Sequence, residues 1–416
     1  MTIDENVQKL REQHLGKFAQ GIEITGREDI QSVLENCHPA FGGKLLRKAY
    51  QLIREAIHDN YTIFASVAGP ITASDYSRVW MVPFIKSGYI SAFVASDAIS
   101  YHDAHDAVEG KRDIHDVDMH GDDTIYKEAG IIRITDIGFP EEVLFNTDKF
   151  MTSLLQKPEF QCKLTTTEYR NHLGKYIQDL EQRKNIPQGL LAAAYEYDVP
   201  AFCASPADGS TFLNAMKLQV MQTRLGEKLK DKFKLEIDLY KDVYEACALH
   251  KWGQEKEGNR ELAYIVCGGG ASKNYLLQPE PALEQILFVQ TKKYKIGVQF
   301  TTAPETDGSL SSATPTEAIS WGKLDEDAKT VSVPIDYTMV MSIIAHAILK
   351  ERALYEDSLN DNYKGDKEKM FAEIPASRGF LREPQRLYKK RELAMELLDS
   401  EARKALPQMR ETLYFE

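Results

Sequence analysis

AYIVCGGGASKN, residues 263–274, is the stretch on which the fold turns. Residues 263–267 are a short apolar run of strand length, rich in β-formers. Three glycines then close it. Glycine adopts positive φ without strain and lets main-chain amides approach a bound group closely. The run is not GxGxxG, so a tight turn with no ligand is the other reading of Gly268, Gly269 and Gly270. Working outward, similar short apolar strands are expected at 62–68, 90–96, 199–204, 295–302 and 331–335. Helices are expected between them, at 43–60, 75–87, 236–252 and 337–354. The first carries an apolar stripe of Leu45, Leu46, Ala49, Leu52, Ile53, Ala56 and Ile57. Strands alternating with helices predict βαβ units: an α/β chain with a mostly parallel sheet and helices on both faces.

The chain has 416 residues and a formal net charge of −12. No repeat or low-complexity linker breaks it. We read one large domain over 41–354, a mobile N-terminal arm with one helix over 1–40, and a charged helical extension over 355–416. The extension is expected to pack outside that domain or against another subunit, with a helix over 389–403. The acidic balance argues against nucleic acid, whose phosphates require a basic face. Five scattered cysteines without a CxxC pair fit a reducing compartment. The charged N-terminus lacks the apolar core of a secretory leader, and no apolar run of membrane length occurs. A cytoplasmic protein is expected.

In open parallel sheets, ligands bind beyond the carboxyl ends of the strands. Four strand ends carry suggestive residues: SVAGPIT (66–72), SPADGS (205–210), CGGGASKN (267–274) and TTAPETDGS (301–309). Asp208 is placed to hold ribose hydroxyls, or else to cap a turn. Lys323 closes EAISWGK (317–323). Enclosed by Glu317, Trp321 and the Asp307 turn, it would lose solvent and become a nucleophilic amine. Otherwise it is a helix-end lysine answering the helix dipole. Residues 101–123 hold His102, His105, His115 and His120 among carboxylates. A metal hydrolase using His102 and His105 is one reading, and a solvated acidic loop is the other. No metal site is assigned.

Together, in this order, these motifs resemble deoxyhypusine synthases over about residues 40–350, most closely at 264–336. The resemblance implies a Rossmann-like fold and an NAD-dependent 4-aminobutyl transfer. A polyamine, spermidine or putrescine, loses hydride to NAD. The resulting imine passes to the active-site lysine, and an acceptor amine then takes the aminobutyl group. The resemblance also implies a homotetramer with sites at a dimer interface. Lys323 matches the imine-forming lysine. Glu317 and Trp321 match polyamine-binding residues, and Asp307, Gly308 and Ser309 the substrate turn. Asp208, Gly268, Gly269, Thr302, Ala303, Asp336 and Tyr337 fall on NAD-contacting positions, as do Gly69, Thr72 and Ser96 at the first two strand ends.

The departures lie around the donor pocket. Leu310 stands where the family has an acid, Asn274 where it has a catalytic histidine, and Leu213 where it has another acid. Residues 98–103, AISYHD, replace an acidic run. Tyr101, His102 and Asp103 are therefore expected to face the polyamine, with His102 as the catalytic base in place of the missing histidine. These features resemble a bacterial branch that includes homospermidine synthases, in which putrescine is the acceptor. The other readings are a true deoxyhypusine synthase acting on the hypusine-bearing translation factor, and an inactive nucleotide-binding homologue.

Overall fold

Six strands form one all-parallel sheet in a computed structural model that describes residues 5–16, 18–229, 231–258 and 260–413. They are β1 (Thr62–Val67), β2 (Ala92–Ala95), β3 (Ala201–Cys203), β4 (Leu262–Cys267), β5 (Tyr294–Phe300) and β6 (Leu324–Val333). Their spatial order is β3-β2-β1-β4-β5-β6. This is the doubly wound order, and its switch point lies between β1 and β4. Val67 pairs with Cys267, Cys267 with Phe300, and Phe300 with Val333. Four strands thus end at one level.

Side chains alternate between two apolar layers, as the period of a strand dictates. Ile63, Ala65, Val67, Ile265, Val298 and Phe300 face one layer. Helices α1 (Phe41–His58), α2 (Ala98–Glu109), α3 (Glu141–Leu154), α4 (Thr166–Lys184) and α6 (Met341–Tyr363) complete it. Phe64, Tyr264, Val266 and Tyr294 face the other, against α5 (Leu239–Glu255) and α7 (Leu387–Glu411). Helices on both faces of a parallel sheet are the α/β class expected from the sequence. No helix among the described residues is long and apolar enough to cross a membrane.

Several segments differ from expectation. The helix expected at 75–87 starts as a π-helical turn, Ser77–Met81, and restarts at Val82–Lys86, where Pro83 removes an N–H donor. Strand β6 begins at Leu324, seven residues before the apolar run. It has a single neighbour, so its outer side tolerates Asp325, Glu326 and Asp327. Among the described residues before 41 there are two helices, Glu5–His14 and Ile30–Asn36. The second buries Leu34 in the first layer, at 1% exposure, while Asp29 caps it and pairs with Lys350 at 3.1 Å. Helix α7 is no outside appendage: Leu387, Ala394 and Leu398 are fully buried in the second layer.

Arg170 on α4 is 1% exposed and donates to Ser96 O (2.6 Å), Ser100 Oγ (3.0 Å) and Phe202 O. It clamps the carboxyl ends of β2 and β3 to the start of α2.

Candidate active site

The carboxyl ends of β1, β4, β5 and β6 open into a cleft of about 710 Å³. Ala68 N donates to Cys267 O (3.1 Å), Gly268 N to Phe300 O (2.8 Å) and Thr301 N to Val333 O (3.1 Å). Each chain therefore leaves the sheet beside its neighbour. Gly268 and Gly270 take φ of +98° and +67°, which only glycine adopts without strain. Gly268, Thr302, Ala303, Asp336 and Tyr337 line this cleft, with Asp307 and Ser309 on its rim side. Asp336 caps the turn that follows β6, accepting from Thr338 N (2.8 Å) and Oγ1 (2.6 Å). A hairpin, Ile131–Ile134 with Ile137–Pro140, brings Thr135 and Asp136 over the same cleft. Nothing in the sequence reading anticipated that.

Beside it lies a second cavity of about 800 Å³, which holds Lys323, Glu317, Trp321, Asn274 and Leu310. The Lys323 amine faces Asn274 Oδ1 at 3.4 Å and stands 5.7 Å from the Trp321 ring centroid. Burial holds its pKa below the ordinary lysine value, against the opposing pull of Glu280 and Glu317. The short helix Glu317–Ser320 sets Glu317 one turn from Trp321, and Gly322 at φ +71° turns the chain into β6. Trp321 is 61% exposed. It is a rim residue more than the wall that the sequence suggested.

The segment 307–313 separates the two cavities. Gln299, fully buried on β5, donates to Ser311 O (2.8 Å) and Gly268 O (3.3 Å). It accepts from Lys273 Nζ at 2.9 Å. Lys273 also donates to Leu310 O (3.2 Å) and Ala313 O. Burial lowers its pKa to about 8. Neither residue was singled out from the sequence. The signals were there: a glutamine inside an apolar strand, and a lysine next to Asn274. Gly269 completes the wall, since a Cβ there would lie 2.5 Å from Ser311 Cα.

The remaining expected residues lie elsewhere. Gly69, Thr72 and Ser96 gather where β1 and β2 end: a Cβ on Gly69 would meet Ser96 Oγ at 2.7 Å, and Thr72 Oγ1 faces Ile99 O at 3.4 Å. Asp208 is exposed in the turn after β3. Gly308 is exposed at the tip of the dividing segment. Tyr101, His102 and Asp103 line neither cavity within the chain, because α2 turns them into its packing. Tyr101 donates to Asp148 Oδ1 (2.9 Å) on α3. Asp103 accepts from Leu190 N (2.9 Å) and Leu191 N (2.7 Å), capping the helix Leu190–Glu196. His102 Nδ1 lies 3.0 Å from His105 Nε2, and burial lowers His102 to about 4 and His105 to about 3. Among the described residues, no three His, Cys, Asp or Glu side chains converge as metal ligands.

The profile of the deoxyhypusine synthase family matches residues 30–348. A deoxyhypusine synthase-like protein of Nostoc sp. is 31% identical over 377 residues, covering 86% of this chain and 94% of that one. The chain belongs to the deoxyhypusine synthase family. Membership implies aminobutyl transfer. A similarly named protein of Thermosynechococcus vestitus is 30% identical over 341 residues, covering 80% of this chain and 82% of its own. A crystal structure from Entamoeba histolytica, of a candidate deoxyhypusine synthase, superposes with a TM-score of 0.50 at 13% identity. It covers 79% of this chain and 96% of that one, and it shows the same fold.

Proposed function

We propose that this chain is an NAD-dependent 4-aminobutyl transferase that works through an imine on Lys323 and delivers the aminobutyl group to putrescine, forming homospermidine. One observation carries the reading: a half-buried lysine amine shares its cavity with Asn274, Glu317 and Trp321, one pinned segment away from the glycine-edged cleft.

The cleft suits a dinucleotide. The main-chain amides of Gly269 and Gly270 and the hydroxyls of Ser309, Ser311 and Thr302 can meet a pyrophosphate, while Asp336 or Asp307 can accept from ribose hydroxyls. NAD bound there would accept the hydride taken from the donor amine and return it to the product. The residues do the rest. Glu317, exposed at the mouth, attracts the cationic chain, and the Trp321 face receives an ammonium or its methylenes. The neutral Lys323 amine attacks the donor's C=N carbon. A new C–N bond forms, the bond to the leaving diamine breaks, and the proton shed by Lys323 departs on that diamine. Putrescine then repeats the exchange and frees the lysine. With spermidine as donor, homospermidine and 1,3-diaminopropane balance the atoms of spermidine and putrescine.

Leu310 and Asn274 favour this acceptor. Among the described residues they leave Glu317 as the one acid lining the lysine cavity, which suits a short diamine over a protein surface. The proposal includes a homotetramer with its sites at a dimer interface. Cytoplasmic residence fits five unpaired cysteines. The test is incubation of the pure tetramer, its mass checked by light scattering, with NAD, spermidine and putrescine. Homospermidine and 1,3-diaminopropane should accumulate. If label passes only to a lysine of the hypusine-bearing factor, the acceptor assigned here is wrong. An active monomer would remove the shared site.

The rate should also report Lys323. The free amine is the reactive form, so single-turnover rate rises with pH through a pKa below the ordinary lysine value and then levels off. Glu317 raises that pKa, so in Glu317→Gln the rising limb should move to lower pH. A limb that stays put or moves upward would contradict the electrostatic arrangement.

A further inference from the structure

A second concentration of charge lies at the opposite, amino edge of the same central strands. Asn60 sits in the turn that enters β1, and Arg260 in the segment that enters β4. The chain between Lys367 and Lys390 folds beside them, and together they line an open cavity of about 450 Å³. Three carboxylates there are already matched: Glu383 with Lys367 (2.7 Å), Glu257 with Lys390 (2.5 Å) and Glu368 with Arg378 (3.9 Å). Two guanidiniums are left over. Arg382 is buried and spends its N–H groups on carbonyls, including Tyr61 O (2.7 Å) and Gly379 O (2.8 Å). Arg260 is different: its Nε and Nη1 are buried and have no acceptor.

A buried donor without a partner is unfavourable, and a buried charge more so, unless something meets it. The fork of an arginine matches phosphate oxygens in pairs. Two acceptors bordering the same cavity, Asn60 Oδ1 and Gln385 Oε1, are also buried without a donor. A bare anion would satisfy Arg260 and leave these two unmet. A molecule with both a phosphate and hydroxyl groups offers acceptors to the Arg260 fork and donors to Asn60 and Gln385, whose buried ends turn toward the cavity to meet them. Lys367, Arg378, Arg382 and Lys390 lie beyond residue 348, where the family match ends, so four of the five cations lie outside the matched region.

We infer that the amino-edge cavity binds a phosphorylated, hydroxyl-bearing small molecule, with Arg260 on its phosphate. The site lies across the sheet from Lys323 and does not rest on the reaction assigned there. Ribose 5-phosphate is the probe, titrated calorimetrically into the full-length protein with excess NAD present to occupy the carboxyl-edge cleft. Saturable binding is expected, weakened about tenfold or more in Arg260→Gln. Because Arg260 Nε and Nη1 hold nothing in the fold, ligand-free Arg260→Gln should melt at or above the wild-type temperature. No saturable binding to the wild type, equal affinity in the variant, or a markedly lower melting temperature without ligand would each overturn the assignment.

Discussion

Lys323→Arg should lose turnover by about ten-thousand-fold or more and keep its fold. The side chain of Lys323 holds little in place: its amine has one long contact, to Asn274, and one ring beside it. A guanidinium fits the same open cavity and keeps the positive charge. What it lacks is the neutral amine, because arginine stays protonated at any working pH. Substrate affinity should therefore change far less than kcat. The decisive measurement couples product assay to borohydride reduction and mass spectrometry. The wild type should carry a reduced aminobutyl adduct on the peptide containing Lys323, and the variant none. Full turnover in Lys323→Arg would end the imine mechanism, whatever else the cavity does.

The second large effect is expected at Gly269, for a steric reason. Its φ is 174°, extended backbone that any residue adopts, so conformation does not demand glycine there. Space does. A methyl would lie 2.5 Å from Ser311 Cα, and that main chain cannot yield freely because Gln299 holds Ser311 O at 2.8 Å. Gly269→Ala should push the dividing segment off its place. A displacement of an ångström at such a point costs about a hundredfold in kcat/KM, and KM for NAD should rise with it. Gly42→Ala, on α1 and lining neither cavity, is the control. Nothing lies within 4 Å of its methyl, and its rate should stay close to wild type. Equal rates for the two variants would mean that the wall between the cavities is not needed in place.

The strands legible in the sequence were those buried on both faces. β4 is a continuous apolar run, and β1 and β5 are mostly apolar, because helices cover each side. The outer part of β6 was not legible, since an edge strand can carry charge. Helix α4 was missed because its short stripe of Tyr169, Leu173 and Ile177 shares the buried face with Thr166, Thr167, Glu168, Arg170 and Glu181, which mask it in the sequence. At the site, short motifs gave Lys323, Glu317, Trp321 and Asn274, which do share one cavity. Lys273 and Gln299 escaped notice because their work is done on main-chain carbonyls, a role with no motif. The placement of His102 depended on which way α2 turns, and that is decided by α3 and the aromatic cluster around Phe139.

The dividing segment has one more consequence. The hydrogen bonds of Lys273 and Gln299 to it go to main-chain carbonyls, at Leu310, Ser311 and Ala313. The side chain of Leu310 meanwhile faces the lysine cavity. Its peptide frame is bolted down from behind while its inner lining is free to change. Substitutions at position 310 can alter which amine the cavity welcomes without loosening the partition that keeps the two compartments apart. Substrate choice in such a protein is an interchangeable fitting on a fixed frame.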